Sequence, residues 1–263
     1  MKILHVLQNY YPSFGGTQYL FQKISEKLVT DYGDDVTVFT TNSMVGPNNP
    51  EFIPIKPLND KINGVTVQRF KFRRWHQTPF RLILKANRYL KFNINERLSL
   101  LKTGPWSPSL LRAMQEFDGD VICASSSNNL YMNYPNVRNS RLRKIPFVYM
   151  GAIHFDDVSE MKISPFVYNA IQASDAYIAN TDFEKRALIN FGIDAKKIFV
   201  VGCGVDLSDF YPDHSASFRK DYNLDATTPL VGYIGRHALG KGIDTLIDAW
   251  RKFGRHSHKR GYL

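Results

Sequence analysis

The stretch that decides the fold lies near the end of this 263-residue chain. From residue 229 to residue 250 it reads PLVGYIGRHALGKGIDTLIDAW. The apolar run at 230–234 follows a proline, which predicts a buried parallel strand. Apolar residues then recur with the spacing of an amphipathic helix, at Ile243, Leu246, Ile247 and Trp250. The stretch therefore predicts a strand, a loop and a helix of an α/β domain.

The loop between this strand and this helix carries three glycines and two cations, Arg236 and Lys241. Free backbone N–H groups and the positive end of the helix dipole favour an anion at such a place. An Arg fork together with a Lys charge suits a diphosphate better than a single carboxylate. An ordinary strand–helix turn with two solvated cations is the alternative, because glycine-bearing loops are common in α/β folds.

The same residues resemble a known family. Gly-Arg-x4-Lys-Gly followed by Ile-x2-Leu-Ile-x-Ala-Trp is similar to the start of the donor-binding domain of retaining glycosyltransferases of family 4, which have the GT-B fold. The resemblance implies that Arg236 and Lys241 hold the diphosphate of a nucleotide-sugar donor. The residue before the lysine is often acidic in the family and is Gly240 here. The resemblance spans essentially the whole chain and is strongest at 198–250.

The resemblance also implies the fold class. We expect a Rossmann-like parallel sheet with helices on both faces, which is the N-terminal half of a GT-B fold, plus a truncated second Rossmann-like domain. Residues 1–206 would form the acceptor-side domain, 207–228 the crossover, and 229–263 the incomplete start of the donor-binding domain. The glutamate pair that the family carries later in that domain has no counterpart here. We therefore expect the chain to be a fragment.

Composition is that of a globular protein, with 43% hydrophobic residues. Cys123 and Cys203 both lie in apolar, strand-like runs, which predicts buried reduced thiols and a cytoplasmic location. The N-terminal apolar run is too short for a signal peptide, and no stretch approaches the roughly 18 apolar residues of a membrane-spanning helix.

The net charge of +10 is concentrated in one segment. Residues 61–95 contain nine Lys/Arg and no Asp or Glu. Within it, 80–92 has the pattern of a helix with Arg81, Lys85 and Arg88 on one face. This face could bind an anionic membrane surface from the cytoplasmic side, or it could be the solvated face of a core helix. A nucleic-acid patch is disfavoured because no nucleic-acid-binding motif accompanies the charge.

The first strand, predicted at 2–7, is followed by a turn that leads into Gly15 and Gly16. A helix then begins, with Thr17 as its predicted N-cap. A double glycine here lets a ligand approach the backbone, although a purely steric role is the alternative. The resemblance implies that Gly15 and Gly16 face the acceptor and the donor phosphates, with Thr17 in the same loop.

A lone histidine, His154, follows the predicted strand 145–150. Ligands bind outside the carboxyl ends of strands in open parallel sheets, so His154 stands where chemistry would occur. A histidine in a loop is more often a structural hydrogen-bonding residue. The resemblance implies that His154 contacts the donor sugar, and we take it as the candidate catalytic residue.

The function implied by the resemblance is transfer of a sugar, with retention, from a nucleotide-diphosphate-sugar to a polysaccharide, glycan or lipid-linked acceptor in cell-envelope or glycan biosynthesis. No cofactor and no metal are expected, since two cations can neutralise the phosphates. The alternative is an inactive binding remnant of a truncated glycosyltransferase. A Rossmann dehydrogenase is disfavoured, because no G-x-G-x-x-G follows the first strand.

Overall fold

A single sheet organises the first of two compact units, Met1–Gly204 and Val205–Leu263. The computed structural model describes residues 1–44, 53–71, 107–125, 144–151, 153, 165–211, 217–228, 230–235 and 239–256. Within these ranges the sheet has eight strands. They are β1 Lys2–Val6, β2 Asp35–Thr41, β3 Asn59–Ile62, β4 Val65–Phe70, β5 Val121–Ser125, β6 Phe147–Met150, β7 Ala176–Ala179 and β8 Ile198–Val200.

The strands are ordered β3-β4-β2-β1-β5-β6-β7-β8. All neighbours are parallel except β3 and β4. Leu4 in the central strand lies opposite Thr37 of β2 on one side and Ile122 of β5 on the other. The order therefore reverses at β1. In sheets of this kind a ligand crevice opens at that point, outside the carboxyl ends of the strands.

Helices cover both faces of the sheet, as the sequence predicted. Those of the first unit are α1 Gly16–Tyr32, α2 Pro108–Glu116, α3 Pro165–Ala173 and α4 Asp182–Asn190. Leu4 and Val6 of β1 pack into one buried cluster with residues of α2, α3 and α4. Ile3 and Leu7 point to the other face, where α1 contributes Phe21. The alternation along β1 follows from the period of two in a strand, with each face covered by apolar residues.

Side-chain caps begin two of these helices. The Ser107 hydroxyl accepts a hydrogen bond of 3.4 Å from the Leu110 amide, with a proline next in the chain, at the start of α2. The Thr181 hydroxyl accepts one of 3.1 Å from the Glu184 amide at the start of α4. Both satisfy a backbone donor that the first helical turn leaves without a partner.

The antiparallel strand β3 lies at one edge of the sheet. It joins β4 through Asn63 and Gly64, whose φ angles of 47° and 87° are left-handed. An Asn-Gly pair with two positive φ values makes the two-residue turn whose twist matches that of a β-hairpin. The dipeptide was therefore a usable signal for this hairpin.

The second unit contains α5 Ser217–Asp221, a 3₁₀ turn at Leu239–Lys241 and α6 Ile243–His256. The predicted helix is confirmed by α6, whereas the buried strand predicted at 230–234 is wrong. Residues 230–235 form no strand, and Leu230, Val231 and Ile234 are exposed. A strand needs a run of paired backbone groups, whereas only Leu230 in this stretch forms a β-bridge, and the described residues of this unit include no strand.

No helix in the described ranges combines the length and the apolar character needed to cross a membrane.

Candidate active site

The loop after β1 lies at the carboxyl edge of the sheet, where the strand order reverses. Hydrogen bonds fasten it to the end of β2 and the segment that follows. They join Thr41 N and Thr41 Oγ1 to the Gln8 carbonyl at 3.1 and 2.7 Å, Asn9 Nδ2 to the Ser43 carbonyl at 2.8 Å, and Ser13 Oγ to the Met44 carbonyl at 2.6 Å. The loop is thus held in one conformation before it reaches Gly15.

Arg69 is the second anchor of this loop. Its guanidinium donates to the Tyr11 carbonyl at 3.0 Å, to the Pro57 carbonyl at 3.0 Å and to Asp60 Oδ2 at 3.2 Å. The side chain is almost completely buried, at 1% exposure. Arg69 was counted among the nine cations of the basic segment, and the structure corrects this: its charge is paired inside the fold and faces no external partner.

The N-terminus of α1 faces the same edge with its backbone donors uncapped. The helix begins at Gly16 after Gly15, which has an extended backbone and provides no side-chain cap. The first turn holds no acidic residue, and a side chain added at Gly16 would meet nothing within 4 Å. First-turn N–H groups that no side chain of the described residues caps attract an anion, as does the helix dipole, and the space at Gly16 is open, although Gln18 Oε1 lies close beside Gly15.

The prediction that Thr17 caps this helix is wrong. Thr17 lies inside the first turn and is exposed. The helix starts earlier than expected because Gly15 makes the turn from the loop, and Gly16 already has helical geometry. The Thr17 side chain is therefore exposed on the first turn of α1, next to the glycine pair in the sequence.

A buried carboxylate, Glu184, organises the carboxyl end of β6. Its Oε1 accepts hydrogen bonds from Tyr177 Oη at 2.5 Å and from the Ile153 amide at 3.2 Å. Its Oε2 accepts one of 2.8 Å from the Asn180 amide. Burial and the negative charge of Glu184 together raise the pKa of the Tyr177 phenol far above its usual range, so it remains a proton donor. Sequence reasoning missed Glu184, although Thr181-x-x-Glu184 is the pattern of a capping box.

Asn180 connects the ends of three neighbouring strands. Its Nδ2 donates to the Gly151 carbonyl after β6 at 3.4 Å, and Cys203 Sγ after β8 lies 3.8 Å from its Oδ1. Cys203 is a free thiol and is exposed, which corrects the expectation that both cysteines are buried. Cys123 is also free and lies within β5, where burial raises its pKa to about 12.

Lys241, the predicted phosphate ligand of the second unit, is exposed and lies two residues before the start of α6. Gly242 follows it with a φ of 69°, a left-handed conformation that a residue with a side chain adopts only at a cost. The Gly242 carbonyl accepts the first helical hydrogen bond, from Leu246 N at 2.9 Å. This glycine therefore makes the turn between the lysine and the helix, which begins at Ile243.

Five other predicted site residues lie outside the described ranges: His154, Arg236, Arg81, Lys85 and Arg88. Gly15, Gly16 and Thr17 are contiguous at the edge of the sheet in the first unit. In the described ranges no three His, Cys, Asp or Glu side chains gather as a metal site. The expectation that no metal is needed remains a prediction.

Sequence comparison assigns the chain to a family. The model of Glycosyltransferase Family 4 matches residues 14–209, which include the glycine loop and the Glu184 cluster. The chain belongs to glycosyltransferase family 4. This confirms the family that the sequence motifs indicated.

A curated relative with local similarity is the D-inositol 3-phosphate glycosyltransferase of Segniliparus rotundus, 38% identical over 80 residues. The alignment covers 30% of this chain and 18% of that protein. The D-inositol 3-phosphate glycosyltransferase of Kineococcus radiotolerans is 37% identical over 81 residues, 30% of this chain and 19% of that protein. The matched stretch is thus a small part of these two relatives.

Solved structures confirm the fold. Anabaena HepE in complex with UDP superposes with a TM-score of 0.58 at 18% identity, over 96% of this chain and 58% of that one. The catalytic domain of starch synthase IV from Arabidopsis thaliana, bound to ADP and acarbose, gives 0.56 at 13% identity, over 95% and 65%. The chain spans about three fifths of the length of these neighbours, and at such identities the similarity concerns the fold alone.

Proposed function

We propose that this family 4 protein transfers a sugar, with retention, from a nucleotide-diphosphate-sugar to a polysaccharide, glycan or lipid-linked acceptor in cell-envelope or glycan biosynthesis. The observation that carries the proposal is the uncapped N-terminus of α1 at Gly15 and Gly16, placed at the point where the strand order reverses. That place accepts a phosphate in an open α/β sheet, and the family uses sugar nucleotides.

The proposed donor is a nucleoside diphosphate sugar. Anabaena HepE was solved with UDP and with UDP-glucose, and the Arabidopsis enzyme with ADP. A nucleoside diphosphate is common to these complexes. In the second unit Arg236 and Lys241 are proposed as ligands of the diphosphate. In the first unit the glycine pair is proposed as a phosphate-binding turn, and His154 as the candidate catalytic residue that contacts the sugar. Thr17, on the first turn of α1, is proposed to face the acceptor.

Calorimetry with UDP and UDP-glucose tests the donor assignment. Arg236→Ala and Lys241→Ala should each weaken binding by about 1.5–3 kcal/mol, since each removes one charge-assisted contact to a phosphate. Lys220→Ala, an exposed lysine of α5, is the matched control and should leave the affinity unchanged. If both site variants bind UDP as tightly as the wild-type chain, the two cations do not hold the donor.

We also propose that these two cations, without a metal ion, neutralise the donor phosphates. A chelator such as EDTA should then leave the UDP-glucose affinity of the chain unchanged, and added magnesium or manganese should raise it by less than about twofold. Strong metal dependence would contradict this part of the proposal.

Binding of a sugar nucleotide without turnover is the second candidate function. The exposed apolar residues at 230–234 and the lack of a strand among the described residues of the second unit favour it. A bound nucleotide needs groups that position it and exclude water before transfer is fast. Release of glucose or UDP from UDP-glucose, measured with this chain at saturating donor, separates the two candidates.

For the basic segment we propose contact with an anionic membrane surface from the cytoplasmic side. The support is sequence alone: Arg81, Lys85 and Arg88 recur with helical spacing in a segment without acids. Each cation near such a surface contributes about 1 kcal/mol and is screened by salt. The chain should sediment with anionic vesicles at low salt only, and reversal of the three cations to Glu should abolish this. Equal binding to neutral vesicles would contradict the proposal.

A further inference from the structure

We propose that Glu184 is a positioning residue that fixes the backbone at the carboxyl end of β6, and with it the start of the segment that continues into His154. The inference rests on the proposed function for its link to sugar transfer, whereas the contacts themselves are independent of that function. They involve the described residues Gly151, Ile153, Tyr177, Asn180 and Glu184.

The carboxylate is buried, with 5% of the residue exposed, yet each of its oxygens has partners. Tyr177 Oη and the Ile153 amide donate to Oε1, and the Asn180 amide donates to Oε2. Three donors around one carboxylate hold it in place, and a buried carboxylate without them would be costly. Two of these donors are backbone amides that follow different strands, β6 and β7. Glu184 therefore ties two strand ends to one side chain of α4.

The end of β6 at Gly151 packs so closely against Tyr177 and Glu184 that it leaves no room for a side chain. A Cβ added at Gly151 would lie 1.8 Å from Tyr177 Oη and 2.5 Å from Glu184 Oε1. Any side chain at this position would displace the Tyr177–Glu184 pair, so a glycine is needed for the approach of the two groups. The Gly151 amide also donates to the Ile178 carbonyl at 2.8 Å, which keeps β6 and β7 in register up to this point.

The aromatic side chains behind the carboxylate limit its movement. Tyr177 is fully buried, and its ring stacks on that of Tyr149 with centroids 5.6 Å apart and an interplanar angle of 16°. At the other end, the Thr181 cap fixes the first turn of α4, in which Glu184 is the third residue. Glu184 thus has a fixed backbone, fixed partners and a fixed neighbour, which are the properties of a group that positions others.

Glu184→Gln is the discriminating variant, because it keeps the shape of the side chain. A glutamine can accept at one end only, so its NH₂ group must face the backbone N–H of either Asn180 or Ile153, neither of which can accept. Tyr177→Phe is the second variant. It removes one donor and leaves the ring stacking and the carboxylate in place. Glu116→Gln, at the exposed end of α2, is the matched control.

The first measurement is amide hydrogen exchange on the full chain. In Glu184→Gln the amides of Ile153 and Asn180 should exchange about tenfold faster or more, while amides of β5 keep their wild-type rates. Tyr177→Phe should give a smaller acceleration at Ile153 and fold normally. The control should change neither. Unchanged exchange at Ile153 in Glu184→Gln would overturn the inference, and so would an equal acceleration throughout the first unit.

The second measurement separates positioning from mere stability, with UDP-glucose hydrolysis as the probe reaction. Glu184→Gln should lower kcat about tenfold or more and change KM by less than about twofold, and UDP affinity should remain as in the wild-type chain. Glu184→Asp, which keeps the acceptor chemistry on a shorter side chain, should recover part of the kcat. Parallel losses in UDP affinity and kcat would overturn the positioning role. If the wild-type chain binds neither UDP nor UDP-glucose, the proposed function fails, and the exchange measurement alone decides on Glu184.

Discussion

Arg69 joins three parts of the first unit through one guanidinium: the loop after β1, the segment before β3, and Asp60 of β3. Replacement by methionine would leave the carbonyls of Tyr11 and Pro57 without this donor. We expect Arg69→Met to lower the free energy of unfolding by about 2–3 kcal/mol. Because Asp60 is partly exposed, water can replace part of its lost hydrogen bonding. The loss in the free energy of unfolding is therefore expected not to exceed this range.

Urea denaturation followed by circular dichroism measures this effect. Lys61→Met, one residue from Asp60 on the exposed side of β3, is the control and should change the stability by less than about 0.5 kcal/mol. Equal effects of the two substitutions would mean that Arg69 behaves as a surface cation.

His5 provides a second prediction at this scale. Burial in the sheet lowers its pKa to about 4 from its ordinary value of 6.5. Its Nδ1 lies 2.8 Å from Ser25 Oγ, and that hydroxyl donates to the Phe21 carbonyl at 2.6 Å. Because the Ser25 proton is engaged there, Nδ1 of the neutral imidazole is the donor to Ser25. The ring has an edge contact with Phe21, with centroids 5.2 Å apart.

The direction of the pH dependence follows from this lowered pKa. Between pH 6.5 and 4 the unfolded chain binds a proton at His5 that the folded chain does not, so stability falls as the pH falls. The wild-type chain should lose about 3 kcal/mol more over this range than His5→Asn, which cannot titrate. Unfolding free energies of both proteins at pH 7, 6, 5 and 4 measure the difference. Parallel pH profiles would show that His5 titrates normally in the folded protein.

At the scale of elements, the two ends of α1 use glycine for different reasons. Gly33 ends the helix with a φ of 68°, and its amide donates to the Val29 carbonyl at 3.2 Å. Gly16 begins the helix in a conformation open to any residue, with free space around it. Gly33 is needed because the backbone there is left-handed, whereas Gly16 leaves room for a ligand.

Alanine at each position separates these roles. Gly33→Ala should destabilise the protein by about 1 kcal/mol, because a side chain in the left-handed region is strained. Gly16→Ala should leave the stability unchanged or raise it by up to about 1 kcal/mol, since alanine favours the helix. The same Gly16→Ala chain should bind UDP more weakly if the glycine pair receives the donor phosphate. Thermal unfolding together with calorimetry measures both, and a destabilised Gly16→Ala chain would contradict this account.

At the scale of the whole molecule, the two units differ in how much apolar surface each one buries. The first has two buried clusters on the faces of its sheet. In the second, the predicted strand residues are exposed, as are Ile247 and Phe253 of α6. Trp250 and Phe253 stack at 5.5 Å along the same helix, and this contact is local. We therefore expect the first unit to be more stable than the second.

Hydrogen exchange of the whole chain tests that expectation. Amides of β1 and β5 should exchange at least about 100-fold more slowly than amides of 230–235, which lie in no strand. Addition of UDP should not slow exchange in β5, because these amides are already protected by the core. Protection at 230–235 equal to that in β5 would show that this segment is buried in solution.

The sequence by itself determined the elements whose signals are local. The caps Ser107 and Thr181 are signals of this kind, because each is a contact between residues three positions apart. The strand at 2–7, the helix after the glycine pair and the helix from Ile243 were predicted for the same reason. The motif around Lys241 indicated the family, and the glycine pair at 15–16 marked the strand end where the sheet has its switch point.

Only the tertiary structure decided which polar groups lie inside. Glu184 meets the Ile153 amide across 31 residues of sequence, and Arg69 meets the Tyr11 carbonyl across 58. The sequence alone had counted Arg69 among the cations of the basic segment. The segment 230–234 has the composition of a buried strand and is exposed, because burial and pairing come from neighbours that a linear pattern does not contain. Local propensity is a property of the segment itself, whereas burial, charge pairing and strand pairing are properties of what the fold places beside it.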